Sequence, residues 1–303
     1  MWPVICTNTA KKIENIILYI QTKYQIIMNY KYNYTIQEIA RDFENLKNRD
    51  HKLDLSVCGN IIIHQLLGDI FWNTKTKRTK SLTIAEYIEK HQDKLLMWTD
   101  KIHNNMPRTL MRPHNYRNTI NIHCGSLNLF KANIGCYILE RFNVKSVLDP
   151  YAGWGTRFLA CIVKNINYIG FDTNTKLQRV YNEIAQFTNT QINWELISEN
   201  SIDYSFKDFE YDTIFSCPPY YNTEIYEEMP NIDCDLNEWV RIYLVSLFAK
   251  SKGKKIILVL PENIINLLVQ YKIVPNISEK ILMPRRKRPT KSSNNEYICY
   301  WVN

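Results

Sequence analysis

The chain has 303 residues, a hydrophobic fraction of 45%, a charged fraction of 22% and a formal net charge of +8. This composition is typical of a globular protein and differs from that of low-complexity or collagen-like chains. The positive charge favours a polyanionic partner or an anionic surface. Part of that charge reflects a general composition in which lysine, asparagine and isoleucine dominate.

The cysteines and the N-terminal segment indicate the compartment. The eight cysteines include no C-x-x-C pair and no cysteine–histidine cluster at zinc spacing, so the sequence predicts no metal site. Residues 13–30 are apolar only in places, which predicts an amphipathic helix and not a membrane span. Without a recognisable signal peptide, we expect an intracellular protein, cytoplasmic or nuclear, with no membrane association.

Residues 1–120 are predicted to form a helical N-terminal region that can serve substrate recognition. Apolar residues recur there at helical spacing. Thr35 and Ser81 are the predicted N-caps, and Glu38 completes a capping box with Thr35. Residues 101–120 are polar, contain Pro107 and Pro113, and are predicted to form an ordered linker or docking loop.

Residues 121–303 alternate between apolar runs and amphipathic segments. Strands are predicted at 145–149, 167–172, 193–198, 211–216, 254–260, 278–284 and 295–302, and helices at 131–141, 155–164, 174–187, 236–251 and 261–271. This alternation predicts an α/β fold whose sheet is mostly parallel, with an antiparallel last strand.

Two motifs each close one of the apolar runs. The first, Asp149-Pro150-Tyr151-Ala152-Gly153-Trp154-Gly155-Thr156, ends a strand in a glycine-rich turn and opens a helix, as at the cofactor corner of a Rossmann-like unit. The second is Ser216-Cys217-Pro218-Pro219-Tyr220. Because parallel strands present their carboxyl ends at one edge of the sheet, both motifs can line a single cleft.

Together the motifs resemble those of the S-adenosylmethionine-dependent DNA amino-methyltransferases, and in particular the phage-type DNA methylases. That family carries D-P-F-x-G-S/W-G-T and D/N/S-P-P-Y/F/W, and this chain departs from the second pattern only at Cys217. The resemblance covers roughly residues 120–303. It implies a Rossmann-like methyltransferase sheet and a methyl transfer to an exocyclic nitrogen of adenine or cytosine.

The resemblance also implies S-adenosylmethionine as the cofactor. The expected cofactor-binding residues are Phe130, Lys131, Asp149, Pro150, Tyr151, Gly153, Gly155, Thr156, Asp172, Asn200 and Ser201. Asp172 follows a strand at the position where an acid holds ribose hydroxyls, and it could also cap the next helix. Core packing of Phe130, and a turn at Asn200 and Ser201 without ligand contact, are the alternatives.

The expected catalytic residues are Cys217, Pro218, Pro219 and Tyr220. An exocyclic amine is a poor nucleophile, so catalysis needs acceptors that draw it towards tetrahedral geometry. The Pro218 carbonyl can be one acceptor, whereas the Cys217 thiol is a weak one and could instead be a buried structural group. Tyr220 would stack on the target base, with core packing as the alternative.

Nucleic-acid contacts are expected at Tyr221 and at the basic loop residues Arg285, Arg286, Lys287 and Arg288. A solvated loop is the alternative for the basic residues. The predicted function is DNA methylation, with adenine N6 favoured over cytosine N4. An RNA base methyltransferase, or a non-catalytic nucleic-acid-binding subunit that retains the fold, are the alternatives. A protein partner or a homo-oligomer is left open.

Overall fold

The computed structural model describes residues 34–51, 58–76, 78–79, 81–102, 113–125, 129–219, 221, 224–225, 234–251, 253–281 and 296–302. The chain divides into two compact units. The described part of the smaller unit lies within Phe71–Leu127, and the larger unit combines Tyr34–Ile70 with Asn128–Asn303. The role of residues 1–120 in substrate recognition stays a prediction. The helix expected at residues 13–30 lies outside the described residues.

The helices are numbered in chain order. They are α1 Ile36–Lys47, α2 Asn60–Leu67, α3 Asp69–Trp72, α4 Ile84–Lys90, α5 Gln92–Ile102, α6 Pro113–Cys124, α7 Ala132–Arg141, α8 Thr156–Lys164, α9 Leu177–Thr188, α10 Leu236–Val240, α11 Ser246–Lys250 and α12 Glu262–Gln270. A π-helical turn, Arg241–Val245, joins α10 to α11 without a break. Within the described residues no helix is long and apolar enough to cross a membrane.

The larger unit is built on one sheet. Its strands are β1 Ser146–Asp149, β2 Asn167–Phe171, β3 Trp194–Ile197, β4 Thr213–Ser216, β5 Lys255–Pro261, β6 Ile277–Lys280 and β7 Glu296–Val302. Two further strands, Lys75–Thr76 and Glu224–Ile225, have two residues each. In the part of the chain that the structure describes, the seven-stranded sheet has the order β3-β2-β1-β4-β5-β7-β6.

Strand direction confirms the predicted fold class. The neighbouring pairs from β3 to β5 are parallel, and β7 is antiparallel to both β5 and β6. The antiparallel strand is the last in the chain, as predicted, and it lies between two other strands instead of at the edge of the sheet. This is a Rossmann-like, mostly parallel α/β sheet.

Side-chain burial follows from the position of each strand in the sheet. All four residues of the central strand β4 are buried, whereas the edge strand β6 has none in that class. Strands covered on both faces by helices read as continuous apolar runs, which is why β1, β4 and β5 could be located in the sequence. From β1 the chain adds β2 and β3 on one side of the sheet, and then β4 and β5 on the other side. The strand order therefore reverses between β1 and β4. Open α/β sheets bind ligands in the crevice outside such a point.

Two local predictions are corrected by the structure, and one is confirmed. The Thr35–Glu38 capping box begins α1, as predicted. The second N-cap is Thr83 and not Ser81, because Glu86 lies three residues after Thr83 and completes a capping box there. Residues 113–124 form a helix where a linker was expected.

The error at residues 113–124 has a physical cause. Pro113 is the first residue of α6, a position where the missing amide proton costs no hydrogen bond. Inside the smaller unit, α5 and α6 are joined by a buried hydrogen bond from the Thr99 hydroxyl to the Thr119 hydroxyl, 3.0 Å. Leu95 and Ile120 are also buried there.

Candidate active site at the carboxyl edge of the sheet

A buried hydrogen bond joins the two sequence motifs. Val147 and Leu148 of β1 pair with Thr213 and Ile214 of β4, so the motifs emerge from adjacent strands. The Ser216 hydroxyl donates to Asp149 Oδ1 at 2.6 Å, and both side chains are fully buried. Sequence reasoning had assigned no role to Ser216, since a hydroxyl that pairs across two strands leaves no signal in the spacing of residues.

The Asp149 carboxylate is occupied by protein donors on both oxygens. Oδ2 accepts from Arg157 Nε at 2.7 Å and from the Tyr168 hydroxyl at 3.0 Å. Oδ1 accepts from Ser216 and from the Tyr151 amide, the latter at 3.3 Å. A carboxylate has about four lone-pair positions, so this one anchors the motif and has no acceptor position to spare for a ligand.

Buried side chains also bind the carbonyl groups of the turn that follows Asp149. Arg157 Nη2 donates to the Ala152 carbonyl at 3.1 Å and also to the Tyr151 carbonyl. The Tyr181 hydroxyl lies 3.1 Å from the Ala152 carbonyl oxygen and 3.2 Å from that of Gly153. The turn is therefore held from the protein side.

Two glycines give the turn its path. Gly153 has φ 61° and Gly155 has φ 91°, in the left-handed region that side chains disfavour. A Cβ atom on Gly155 would lie 2.8 Å from Ile184 Cδ1 of α9, so the turn packs closely against that helix. Thr156, the first residue of α8, is buried directly after it. Backbone amides at such a helix start favour an anionic group.

Asp172 follows β2 at the same edge and keeps unused acceptor positions. Its Oδ2 accepts from the Gly153 amide at 2.8 Å, and its Oδ1 accepts from the Asn174 amide at 2.9 Å. One donor on each oxygen leaves further lone pairs on both. Burial raises the pKa of the Asp172 carboxyl to about 6, although those two amides act to lower it. The side chain can thus hold two hydroxyl groups of a ligand.

Phe130 and Lys131 are held by a residue from the N-terminal part of the larger unit. Asn60 Nδ2 donates to the Phe130 carbonyl at 3.1 Å, and Asn60 Oδ1 accepts from the Ala132 amide at 3.2 Å. The Phe130 ring meets Phe215 edge-on at 6.0 Å, and the Arg157 guanidinium lies 5.4 Å from its centroid. Burial lowers the pKa of Lys131, and Glu296 acts in the opposite direction.

Ser201 begins a 3-10 turn, Ser201–Asp203, after β3, and Asn200 is its N-cap. The Asn200 side-chain oxygen accepts from the Ile202 amide at 3.2 Å, so it caps the turn. Ser201 is buried, and its carbonyl accepts from Lys250 Nζ at 3.3 Å. The Asn200 side chain is only half-buried, so its amide nitrogen keeps access to solvent at this edge of the sheet.

The second motif leaves β4 as an extended segment. Pro218 is buried, and Cys217 and Pro219 are half-buried. The pKa of Arg157 is raised overall, because burial would lower it and electrostatic interaction with Asp149 and Cys217 outweighs burial. Cys217 is therefore close to the charged pair beneath the first motif. Tyr220 and the basic residues at 285–288 lie outside the described residues.

An aromatic cluster follows the second motif. The Tyr221 hydroxyl donates to the Cys234 carbonyl at 2.7 Å, and its ring centroid lies 6.3 Å from that of Trp239. Trp239 stacks on Tyr243 at 5.1 Å, and the Tyr151 hydroxyl donates to the Tyr243 carbonyl at 2.6 Å. The cluster links both motifs to the π-helical turn, a feature that often marks functional sites.

Sequence reasoning also missed Tyr243. Its side chain is only 4% exposed, and in the described part of the chain its hydroxyl has no hydrogen-bond partner. A helical pattern in the sequence does not show where a π-helical turn displaces a side chain, so no signal could have identified this residue.

Comparison with known proteins gives a likeness of fold. No family model matches the sequence, and no curated protein matches it. An S-adenosylmethionine-dependent O-methyltransferase from Thermotoga maritima is 10% identical, with a TM-score of 0.40 over 60% of this chain and 69% of that one. A tRNA (uracil-54, C5)-methyltransferase from Pyrococcus abyssi, solved with S-adenosyl-L-homocysteine, is 15% identical, with a TM-score of 0.38.

The match to the Pyrococcus protein covers 59% of this chain and 40% of the Pyrococcus chain, so this chain spans less than half of that protein. A tRNA (m1A58) methyltransferase from Aquifex aeolicus is 14% identical, with a TM-score of 0.36 over 58% of this chain and 69% of that one. At these identities the likeness concerns the fold alone.

Proposed function

We propose that this protein is an S-adenosylmethionine-dependent DNA methyltransferase that modifies an exocyclic amino group, with adenine N6 favoured over cytosine N4. The observation that carries the proposal is the Ser216–Asp149 hydrogen bond, 2.6 Å long and fully buried. It fixes a glycine-rich turn and a Cys-Pro-Pro segment beside each other at the point where the strand order reverses. One cleft can then accept a nucleotide-like cofactor and a base.

The cofactor side supports the proposal through its free acceptors. Asp172 has unused lone pairs on both oxygens and follows the second strand, where ribose hydroxyls are held in such folds. The turn at Gly153 and Gly155 permits close approach of the backbone. S-adenosylmethionine, when bound there, supplies an electrophilic methyl group.

The catalytic side supports it through backbone chemistry. The Pro218 carbonyl, in a segment fixed by Pro219, can accept a hydrogen bond from the target amine and hold that amine in line for transfer. The Cys217 thiol is only a weak second acceptor, so activation of the amine depends mainly on that carbonyl. Tyr220 would stack on the base after it leaves the helix.

Three activities are separated by one labelling experiment. The protein is incubated with S-adenosylmethionine carrying a tritiated methyl group, together with AT-rich duplex DNA, single-stranded DNA or total RNA. The variant Tyr220→Ala is compared with Tyr271→Ala, which removes a tyrosine at the exposed end of α12. We expect label in DNA, lost in Tyr220→Ala and kept in Tyr271→Ala, and recovered after digestion as N6-methyl-2′-deoxyadenosine.

The other outcomes contradict the proposal in defined ways. Label recovered from DNA as N4-methyl-2′-deoxycytidine would keep the enzyme class and change the target base. Label in RNA alone would replace DNA as the substrate. No label in any polymer, with S-adenosylmethionine still bound, would identify a non-catalytic subunit that retains the fold.

A further inference from the structure

The smaller unit carries most of the excess positive charge of the chain. Residues 71–127 contain ten lysines and arginines against four acidic residues, whereas the whole chain has 38 against 30. Charge of one sign concentrated in one unit acts as an electrostatic footprint for a polyanion. The described side chains show where on the unit part of this charge collects.

One face of α5 presents cations around an aromatic pair. Lys94, Trp98 and Lys101 are spaced four and three residues apart, so they share a face of the helix. Lys101 Nζ lies 5.4 Å from the centroid of the Trp98 ring. The Trp98 ring in turn lies 4.8 Å from the ring of His123 on α6. Leu95 and Thr99, which point into the unit, are buried.

A third cation reaches the same pair from another segment. Arg78 Nη1 donates to the Ile122 carbonyl, which places its guanidinium beside His123. Burial lowers the pKa of His123, and the charges of Lys94 and Arg78 lower it further. Burial and the two neighbouring cations therefore all disfavour protonation of this imidazole.

These cations have no counter-charge in the described part of the chain. None of Arg78, Lys94 and Lys101 forms a salt bridge among the described residues, and all three are exposed. The buried atoms Trp98 Nε1 and His123 Nε2 also have no hydrogen-bond partner in the part of the chain that the structure describes. Within the described residues the cluster is thus electropositive, and none of its three cations is paired with an acid.

Apolar surface lies next to the cations. Met97 is 59% exposed and Ile122 is 46% exposed, and they neighbour Trp98 and His123 in sequence. A nucleic-acid backbone offers phosphates to cations and sugar and base surface to apolar and aromatic groups, so such mixed surfaces suit it better than they suit a small anion.

We propose that Arg78, Lys94 and Lys101, arranged around the Trp98–His123 pair, form a contact surface for the sugar–phosphate backbone of a nucleic acid. The choice of DNA as the polymer rests on the proposed function. The surface contacts phosphates and not bases, so it supplies affinity that does not depend on base sequence.

The test measures binding instead of methyl transfer. The double variant Lys94→Gln with Lys101→Gln is compared with the control Lys90→Gln with Lys207→Gln, which removes two other exposed lysines and the same charge. Fluorescence anisotropy follows labelled short duplex DNA, single-stranded DNA and RNA at increasing NaCl concentration. Circular dichroism checks that both variants remain folded.

The expected result is specific to the two lysines on α5. Since each lost phosphate contact lowers the slope of log affinity against log salt by about 0.9 on duplex DNA, we expect a slope shallower by about 1.8 in the double variant. Affinity at low salt should fall by roughly tenfold or more. Equal slopes in the double variant and the control would overturn the proposal.

The readout distinguishes this surface from the proposed activity. If the native protein transfers no methyl group but its salt slope depends on Lys94 and Lys101, the surface stands and the proposed function fails. If methyl transfer is present and the double variant binds DNA and RNA like the control, the surface fails alone. A slope effect with RNA only would support the surface and argue against DNA as its polymer.

Discussion

Asp149 and Asp172 follow neighbouring strands of the sheet, yet their carboxylates have different capacities for a ligand. Asp149 accepts from Arg157, Tyr168 and Ser216 and is fully buried. Asp172 accepts from two backbone amides, one on each oxygen, and keeps lone pairs on both. The sequence predicts both residues at the site. Only their hydrogen-bond partners show that Asp149 anchors the turn, whereas Asp172 can still accept hydrogen bonds from a ligand.

In the proposed function Asp172 holds hydroxyl groups of the cofactor, so its pKa should make cofactor affinity dependent on pH. Hydroxyl groups donate to the carboxylate, so binding favours the charged form. Because burial raises the pKa of this carboxyl to about 6 in the free protein, affinity for S-adenosylhomocysteine should fall as pH drops below 6, by at most about tenfold per pH unit. Calorimetric titration between weakly acidic and neutral pH measures this change.

The variant Asp172→Asn provides the comparison. It cannot titrate, so its affinity should be weaker at neutral pH and should show a smaller change across the same range. A pH dependence of equal size in both proteins would assign the effect to another group. The same carboxyl also affects folding: it ionises near 3.9 in an unfolded chain, so its contribution to the free energy of unfolding falls as pH rises from about 4 to 6.

The glycine-rich turn and α9 form a closely packed contact at the scale of elements. Gly155 has φ 91°, and a Cβ atom there would lie 2.8 Å from Ile184 Cδ1. Gly253 also has a positive φ, 79°, but nothing lies within 4 Å of the position of its Cβ atom. A comparison of alanine substitutions at these two glycines therefore distinguishes the cost of a left-handed backbone from the cost of steric overlap.

We expect Gly155→Ala to be more destabilising than Gly253→Ala. The left-handed backbone costs about 1–2 kcal/mol at either position, and overpacking adds about 1–3 kcal/mol at Gly155 alone. Urea unfolding measures both. Ile184→Val removes the overlapping methyl group, so it should restore part of the stability lost in Gly155→Ala. Equal losses at the two glycines, with no rescue, would show that the contact is not tight.

Most elements of the larger unit could be predicted from the sequence, since their signals are local. Apolar runs that end in Asp149 or Ser216 locate β1 and β4 within two residues. The start of α6 at Pro113 was missed because proline indicates either a break or a first helical residue, and only the packed structure decides. The contacts of Asn60 and Ser216 were missed because they join residues distant in sequence.

The larger unit is discontinuous in sequence, which is a property of the whole molecule. Residues 34–70 pack with residues 128–303, and 71–127 belong to the other unit. Asn60 is one buried polar connection between these segments: it binds the Phe130 carbonyl and the Ala132 amide and is itself only 3% exposed. Asp42 Oδ2 in turn accepts from the Ile61 amide at 2.9 Å, which fixes α2 to α1.

Removal of the Asn60 side chain should therefore weaken the cofactor side of the sheet. We expect Asn60→Ala to lower the free energy of unfolding by about 1–3 kcal/mol, because two backbone groups lose their partners, and to reduce affinity for S-adenosylhomocysteine. Asn48→Ala, at an exposed helix end, is the matched control. A loss no larger than that of the control would mean that α2 contributes little to the segment at residues 130–132.

The discontinuity also sets an order of events during synthesis. Asn60 and its partner Phe130 are separated by 70 residues, and a ribosome adds roughly 5–20 residues per second. Helix α2, whose residues Ile62, Ile63 and Leu67 are buried in the folded unit, packs against α9 as well as α1. The face that contacts α9 must then remain uncovered for at least about 4–14 seconds after it is made. A nascent chain of this protein should bind a chaperone through α2 before the sheet exists.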